Sequence, residues 1–318
     1  MTKSKMLLIA LALACATLSA MNASWIAPMP QGALALIAHR GIAQPIDRAR
    51  AGACGARAIR GSNHSFIENS QSSMQSALAF GAAGLLLDVR ASADGHAMIF
   101  RDPTLECRTD GTGRVGERRL GYLKRLDIGF GYSADNGRTF PLRGRGFAGM
   151  LTVEEVLRAF PRTQLVFELA DPAAAEALVA AFGRARVGVG RLHGFAGDPA
   201  ALARLRQLTP NGWLLDARAS AVCLAGYRRW GWLGIVPADC RGVTLHLPYE
   251  GSWTLWGWPY RFIARLSGVN ARYFVSLDPD GPALVGLEQP EQLGEVPHDY
   301  AGMLLVEDMY EVGRALVR

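Results

Sequence analysis

Residues 64–115, HSFIENSQSSMQSALAFGAAGLLLDVRASADGHAMIFRDPTLECRTDGTGRV, read with IAHRG at 37–41, decide the fold. The apolar run 33–38 ends at His39 and Arg40, as a barrel strand does when its C-terminal end presents polar groups. Asn69 or Ser70 then caps a helix whose inner stripe carries Met74, Ala77, Leu78 and Gly81. A second strand is expected over 84–90, and strand alternation puts Leu86 and Asp88 on one face. Asp94 and Gly95 make a turn, 97–100 reads as a third strand ending before Arg101-Asp102-Pro103, and 110–116 is a Gly-rich surface loop.

Outward from this stretch the same alternation continues. Residues 120–126 form a short helical pattern, and GFGYSADNGRTFPLRGRG at 129–146 a long loop expected to be a lid or mouth decoration. Thr152 caps the helix VEEVLRAF, with Glu155 three residues on completing a capping box. A strand over 164–169 carries Glu168. Further strand candidates are 190–195, 212–216, 231–236, 242–247, 272–277 and 303–307; these exceed eight in all, so one or two are surplus. Strand and helix alternating over ~250 residues predict an α/β chain, a (β/α)8 TIM barrel, as a single domain over 24–318. No linker, internal repeat or low-complexity segment interrupts it.

The chain has 318 residues, half of them apolar, and a net charge of +6 from scattered basic residues. Without a run of like charges, no nucleic-acid partner is expected. Lys3 and Lys5 precede an apolar run from Met6, followed by small residues, the layout of a signal peptide over 1–23 cleaved after Ala20 or Ala23. A retained N-terminal membrane anchor is the alternative, and a lipoprotein attached at Cys15 the third reading. Export, to a periplasm or the medium, agrees with the remaining cysteines. Cys54, Cys107, Cys223 and Cys240 are an even set with three possible connectivities. Pairing Cys54 with Cys107 and Cys223 with Cys240 leaves two local staples, and no C-x-x-C pair points to zinc.

The order IAHRG, IENS, LLLDV and RDP, with LDIGFGYSADNGRTFPLRGRG and LWGWPYRFIARL further on, resembles the glycerophosphodiester phosphodiesterase family, in particular an exported branch of it. That resemblance implies a divalent cation, calcium or magnesium, held by carboxylates at strand ends, and two histidines moving protons around attack on phosphorus by the substrate's own glycerol hydroxyl. It assigns His39 and Arg40 as catalytic, Arg40 also as a phosphate clamp, and Asp88 and Glu168 as metal ligands, with Glu68 an outside candidate. Glu68 and Asn69 are expected mainly to brace the loop that bears the site.

Three positions depart from the family pattern. Leu86 stands where Glu-x-Asp has its glutamate, Arg101 where the second histidine precedes Asp-Pro, and Ala170 where a lysine follows the acidic residue. An aliphatic side chain donates nothing to a cation, and a guanidinium does not shuttle protons at neutral pH. Hydrolysis of glycerophospholipid-derived diesters is therefore expected to be weak or lost, with Arg101 binding phosphate in place of the cation. The alternatives are a non-catalytic phosphodiester-binding protein and an active enzyme with a rearranged metal site. Of the other histidines, His64, His96 and His298 fall in loops and His193 in a strand; His246, near a strand end, is the one candidate for a substitute catalyst. Trp253, Trp256, Trp258, Tyr260 and Phe262 are expected to pack a helix on the barrel rather than form a lipid-contacting mouth. The expected partner is a small phosphodiester, with membrane-surface contact as a further option.

Overall fold

A computed structural model describes residues 2–316 except 31, 62, 191, 210, 249–251, 278–283 and 297–299. Along the chain run α1 (Lys3–Asn22), β1 (Ala35–His39), α2 (Gln71–Ala79), β2 (Gly84–Ala91), β3 (Ala97–Ile99), α3 (Leu120–Leu123), α4 (Val153–Ala159), β4 (Gln164–Leu169), α5 (Pro172–Ala185), β5 (His193–Gly197) and α6 (Pro199–Leu208). There follow β6 (Trp213–Leu214), α7 (Ala217–Trp230), β7 (Thr244–Pro248), α8 (Tyr260–Ser267), β8 (Arg272–Ser276), β9 (Met303–Val306) and α9 (Met309–Leu316). They fall into two compact units, one of residues 35–214, 285–293 and 304–318, the other of 1–34, 215–284 and 294–303.

In the larger unit β1, β2, β4, β5 and β6 pair in parallel, with helices between successive strands. Parallel strands buried on both faces need near-continuous apolar runs; six consecutive residues of β2, from Gly84 to Val89, are buried. β3 pairs antiparallel to β2 and lies off the parallel path, so 97–100 is a hairpin arm and not a barrel strand. Sequence capping signals hold: Ser70 caps α2 by accepting from the Ser73 N–H, and Thr152 with Glu155 makes both bonds of the capping box on α4.

A second apolar cluster under the loops gathers Ile59, Ile67, Met98, Leu105, Leu126, Tyr132 and Leu142. Tyr132 is fully buried, and buried Asp127 accepts hydrogen bonds from the N–H groups of Gly129, Gly144 and Gly146. The 129–146 segment is therefore a loop fastened to the Asp127 carboxylate through its backbone N–H groups. The Cys54–Cys107 disulfide closes over this cluster.

In the smaller unit β7 and β8 pair in parallel, and the Cys223–Cys240 disulfide ties α7 to the short 3₁₀ turn Ala238–Cys240. Residues 231–236, read as a strand, instead continue α7 into the 3₁₀ turn Gly231–Leu233, stopped by left-handed Gly234. The segment's apolar side chains stay partly in solvent, with Trp232 at 37% and Ile235 at 48% exposure, so no buried face selects a strand. Trp258, Phe262, Tyr227 and Tyr273 interlock as expected of packing aromatics, whereas Trp256 is 43% exposed. The side chain of Trp253 and all of His298 lie outside the described residues.

Candidate active site

His39 ends β1 and Arg40 turns the chain with a left-handed φ of 62°. Its N–H donates to Leu86 O at 2.7 Å, and its carbonyl accepts from Asn69 N–H at 2.8 Å. Asn69 is also left-handed, at 60°. Such conformations cost non-glycine residues on the order of 1–3 kcal/mol each and persist where surrounding bonds over-determine them. Gly41 completes the turn at φ 78°, and a Cβ there would stand 2.7 Å from the Ser73 backbone, so only glycine lets the turn sit on α2.

The turn aims Arg40 into a buried charge network. Its Nε lies 3.1 Å from Asp88 Oδ2, and its Nη1 3.2 Å from Glu307 and 3.7 Å from Glu68. Glu68 in turn faces Arg108 at 3.2 Å, and Arg108 reaches Asp102 at 2.9 Å and donates to the Tyr132 hydroxyl at 2.9 Å. Asn69 Nδ2 donates to Asp88 Oδ2 at 2.9 Å. Arg40, Glu68 and Arg108 are each 3% exposed. Charges taken out of water need partners of this kind, and removing one leaves the others uncompensated. Burial alone disfavours the charged Arg40; Glu307, Asp88 and Glu68 outweigh it and hold the guanidinium more firmly protonated than usual.

His39 lies between two carboxylates, with Nδ1 2.8 Å from Glu307 Oε2 and Nε2 3.6 Å from Glu168 Oε2. Burial and the neighbouring Arg40 charge push the imidazole pKa down, but Glu307 and Glu168 overcome them and raise it to about 9. Glu307 is held well below the ordinary carboxylate range: burial raises it, and the charges of His39, Arg40 and Arg101 more than offset that.

The signs give a pH profile for protein dialysed free of divalent cations. His39 contributes stability fully below its ordinary 6.5 and loses it as pH rises through about 9. Glu307 contributes above its ordinary 4.5 and loses it on acidification. We expect a stability plateau near pH 5–6.5 and an alkaline decline on the order of 3 kcal/mol, measured by urea unfolding. The decline should flatten in Glu307→Gln; an unchanged alkaline limb there would refute the pairing.

The structure brings His39, Arg40, Glu68, Asp88 and Glu168 together. Asp88 and Glu168 are register partners on β2 and β4, and Leu86 pairs with His39 one step deeper on the Asp88 side of the strand. Arg101 acts electrostatically on both Asp88 and Glu307, yet forms no ion pair among the described residues. Glu307, Arg108 and Tyr132 escaped the sequence reading. Glu307 follows β9 directly, and its only sequence signal was that the candidate strand 303–307 ended on it. His246 is buried in the smaller unit and bonded to the Ser276 hydroxyl at 2.6 Å. His193 packs on Phe167 and Phe182, His64 on Phe66 and Tyr310, and His96 lies 3.9 Å from Glu154.

One donor atom each from His39, Asp88 and Glu168 lie within 4.8 Å of one another. Calcium takes six to eight oxygens, and magnesium an octahedron. Asp88 Oδ2 already accepts from Asn69 and stands 3.1 Å from the Arg40 guanidinium, and the same-face position beside it on β2 carries fully buried Leu86. The three groups form a partial donor set for a divalent cation, to which Leu86 adds no oxygen.

Residues 60–180 match the model of the glycerophosphoryl diester phosphodiesterase family. An uncharacterized protein of Mycobacterium tuberculosis is 29% identical over 110 residues, 35% of this chain and 36% of its own length. A glycerophosphodiester phosphodiesterase of Caldanaerobacter subterraneus subsp. tengcongensis is 36% identical over 72 residues, 23% of this chain and 30% of that protein. The chain thus matches about a third of the length of these curated relatives. Among solved structures, the glycerophosphoryl diester phosphodiesterase domain of the Mycobacterium tuberculosis protein superposes with a TM-score of 0.62 at 16% identity, covering 91% of this chain and 99% of that one. An Oleispira antarctica phosphodiesterase, solved with the product sn-glycerol-3-phosphate, gives 0.53 at 18% identity over 91% and 98%. The fold they share is the (β/α) barrel expected from the strand and helix alternation.

Proposed function

We propose that the chain is a member of the glycerophosphoryl diester phosphodiesterase family, whose model residues 60–180 match, and that it is an exported protein that binds glycerophosphodiesters and hydrolyses them only feebly. Leu86 carries the reading: it is a fully buried aliphatic side chain where the family pattern calls for a carboxylate. Arg101 is the guanidinium with donors to spare for a phosphate, since Arg40 is already shared among three carboxylates. Arg40 then positions His39 and Asp88. The product held by the Oleispira antarctica relative supports the substrate class, and the two disulfides are compatible with export.

A second reading rests on the 2.8 Å contact between His39 and Glu307. Glu307 fixes the imidazole with its Nε2, which makes no hydrogen bond, buried 3.6 Å from Glu168 Oε2. With one histidine, proton transfer is sequential: His39 takes the proton of the attacking glycerol hydroxyl and returns it to the departing alcohol oxygen. An imidazole raised to about 9 is protonated at neutral pH and becomes a base only on the alkaline side. The experiment is glycerophosphocholine hydrolysis with calcium, magnesium or a chelator. We expect turnover at least ~10²-fold below the ordinary enzyme range of ~1–10³ s⁻¹, with no cation response. Residual activity that rises toward pH 9, with the rise moved to lower pH in Glu307→Gln, would favour the second reading. Cation-dependent turnover in the ordinary range would overturn both.

A further inference from the structure

The N-terminal helix is built into the smaller unit at its C-terminal end and bare along its length. α1 has 20 residues, none buried, and no charge after Lys5. At ~1.5 Å per residue it spans ~30 Å, the thickness of a hydrocarbon core. A cleaved signal helix would satisfy those facts equally, so the junction decides. Asn22 Nδ2 donates to Trp232 O at 2.8 Å, and Arg265 donates to Met21 O at 2.8 Å and to Asn22 Oδ1 at 3.1 Å. Arg265 also reaches the Tyr227 hydroxyl and Gly231 O, and Ser24 Oγ accepts from Tyr260 N–H at the start of α8. Processing after Ala23 would discard Met21 and Asn22, two of the residues that Arg265 holds. Processing after Ala20 or Ala23 would also put Leu18 or Met21 three residues before the cut, where a small residue is needed.

Around this junction the surface is aromatic and cationic. Trp25 is 83% exposed, Trp230 44% and Trp256 43%. Trp256 and Trp232 donate their indole N–H groups to Arg228 O and Arg229 O, and the Arg229 guanidinium lies over the Trp230 ring. Exposed tryptophans interleaved with arginines at the end of an apolar 20-residue helix are the composition of a bilayer interface. Lys3 and Lys5 at the other end favour an N-terminus inside, and the disulfides need the opposite, oxidising side.

We propose that α1 is retained as a transmembrane anchor and that the Trp25, Trp230, Trp232 and Trp256 face of the smaller unit rests on the outer surface of that membrane. The test uses the full chain expressed in bacteria. The expected result is a membrane fraction resistant to alkaline carbonate, with an intact mass that includes residues 3–23. Cys15, exposed on α1 and the one free cysteine of the described chain, should react with a hydrophilic maleimide in detergent but not in intact membranes. In vesicles of brominated phosphatidylcholine, tryptophan fluorescence should be quenched, and less so in Trp25→Ser/Trp230→Ser/Trp232→Ser. Soluble protein beginning near Met21 to Ser24 would overturn the anchor. An intact anchored chain with equal quenching in wild type and the triple variant would overturn the surface contact.

Discussion

Leu86→Glu combined with Arg101→His gives a protein that binds calcium and hydrolyses glycerophosphocholine ~10²–10⁴-fold faster than the unaltered chain, the range expected for regaining a proton-transfer group. The glutamate would stand on the Asp88 side of β2, one step deeper and level with His39. Without a cation that carboxylate is buried with no partner, so the double variant should unfold at lower temperature in chelator than wild type. Calcium should restore much of the difference, because a ligand that binds only the folded state stabilises it by mass action. Calorimetry and thermal unfolding with and without calcium read this separately from activity. A double variant indifferent to calcium in both would mean that more than these two residues separates the pocket from a working site.

Glu68→Ala costs about 3–5 kcal/mol of folding stability, the range for deleting one partner of a buried ion pair. The reason is local: Glu68 sits between Arg40 and Arg108, all three are nearly excluded from solvent, and its loss leaves two guanidinium groups sharing fewer carboxylates. Glu68→Gln keeps the shape and should cost less. Urea unfolding monitored by tryptophan fluorescence measures both. A loss under ~1 kcal/mol for Glu68→Ala would show the carboxylate to be energetically idle, as exposed ion pairs usually are.

The stretch 64–115 made the architecture legible because local signals there agree: a serine cap, an apolar strand, a turn and a hairpin arm each point one way. His39, Asp88 and Glu168 were legible for the same reason, each lying at or near the end of an apolar strand. Glu307 was not, since no motif accompanies it and its partner lies in β1, far off in sequence. Arg108 and Tyr132 come from loops, where neither period nor cap marks a side chain. The segment 231–236 misled because an apolar run is ambiguous between strand and helix end until its burial is known; Trp232 and Ile235 turned out to face solvent.

The bond between His39 and Glu307 joins residues 268 positions apart. A chain made from its N-terminus holds the His39–Arg40 turn long before its counter-ion exists, and contacts of such separation close late in folding. Every copy cut short before residue 307 lacks the carboxylate that holds His39 charged and that pairs with Arg40. Chains truncated before residue 307 are therefore expected to be more protease-sensitive than the full chain, which limited proteolysis checks.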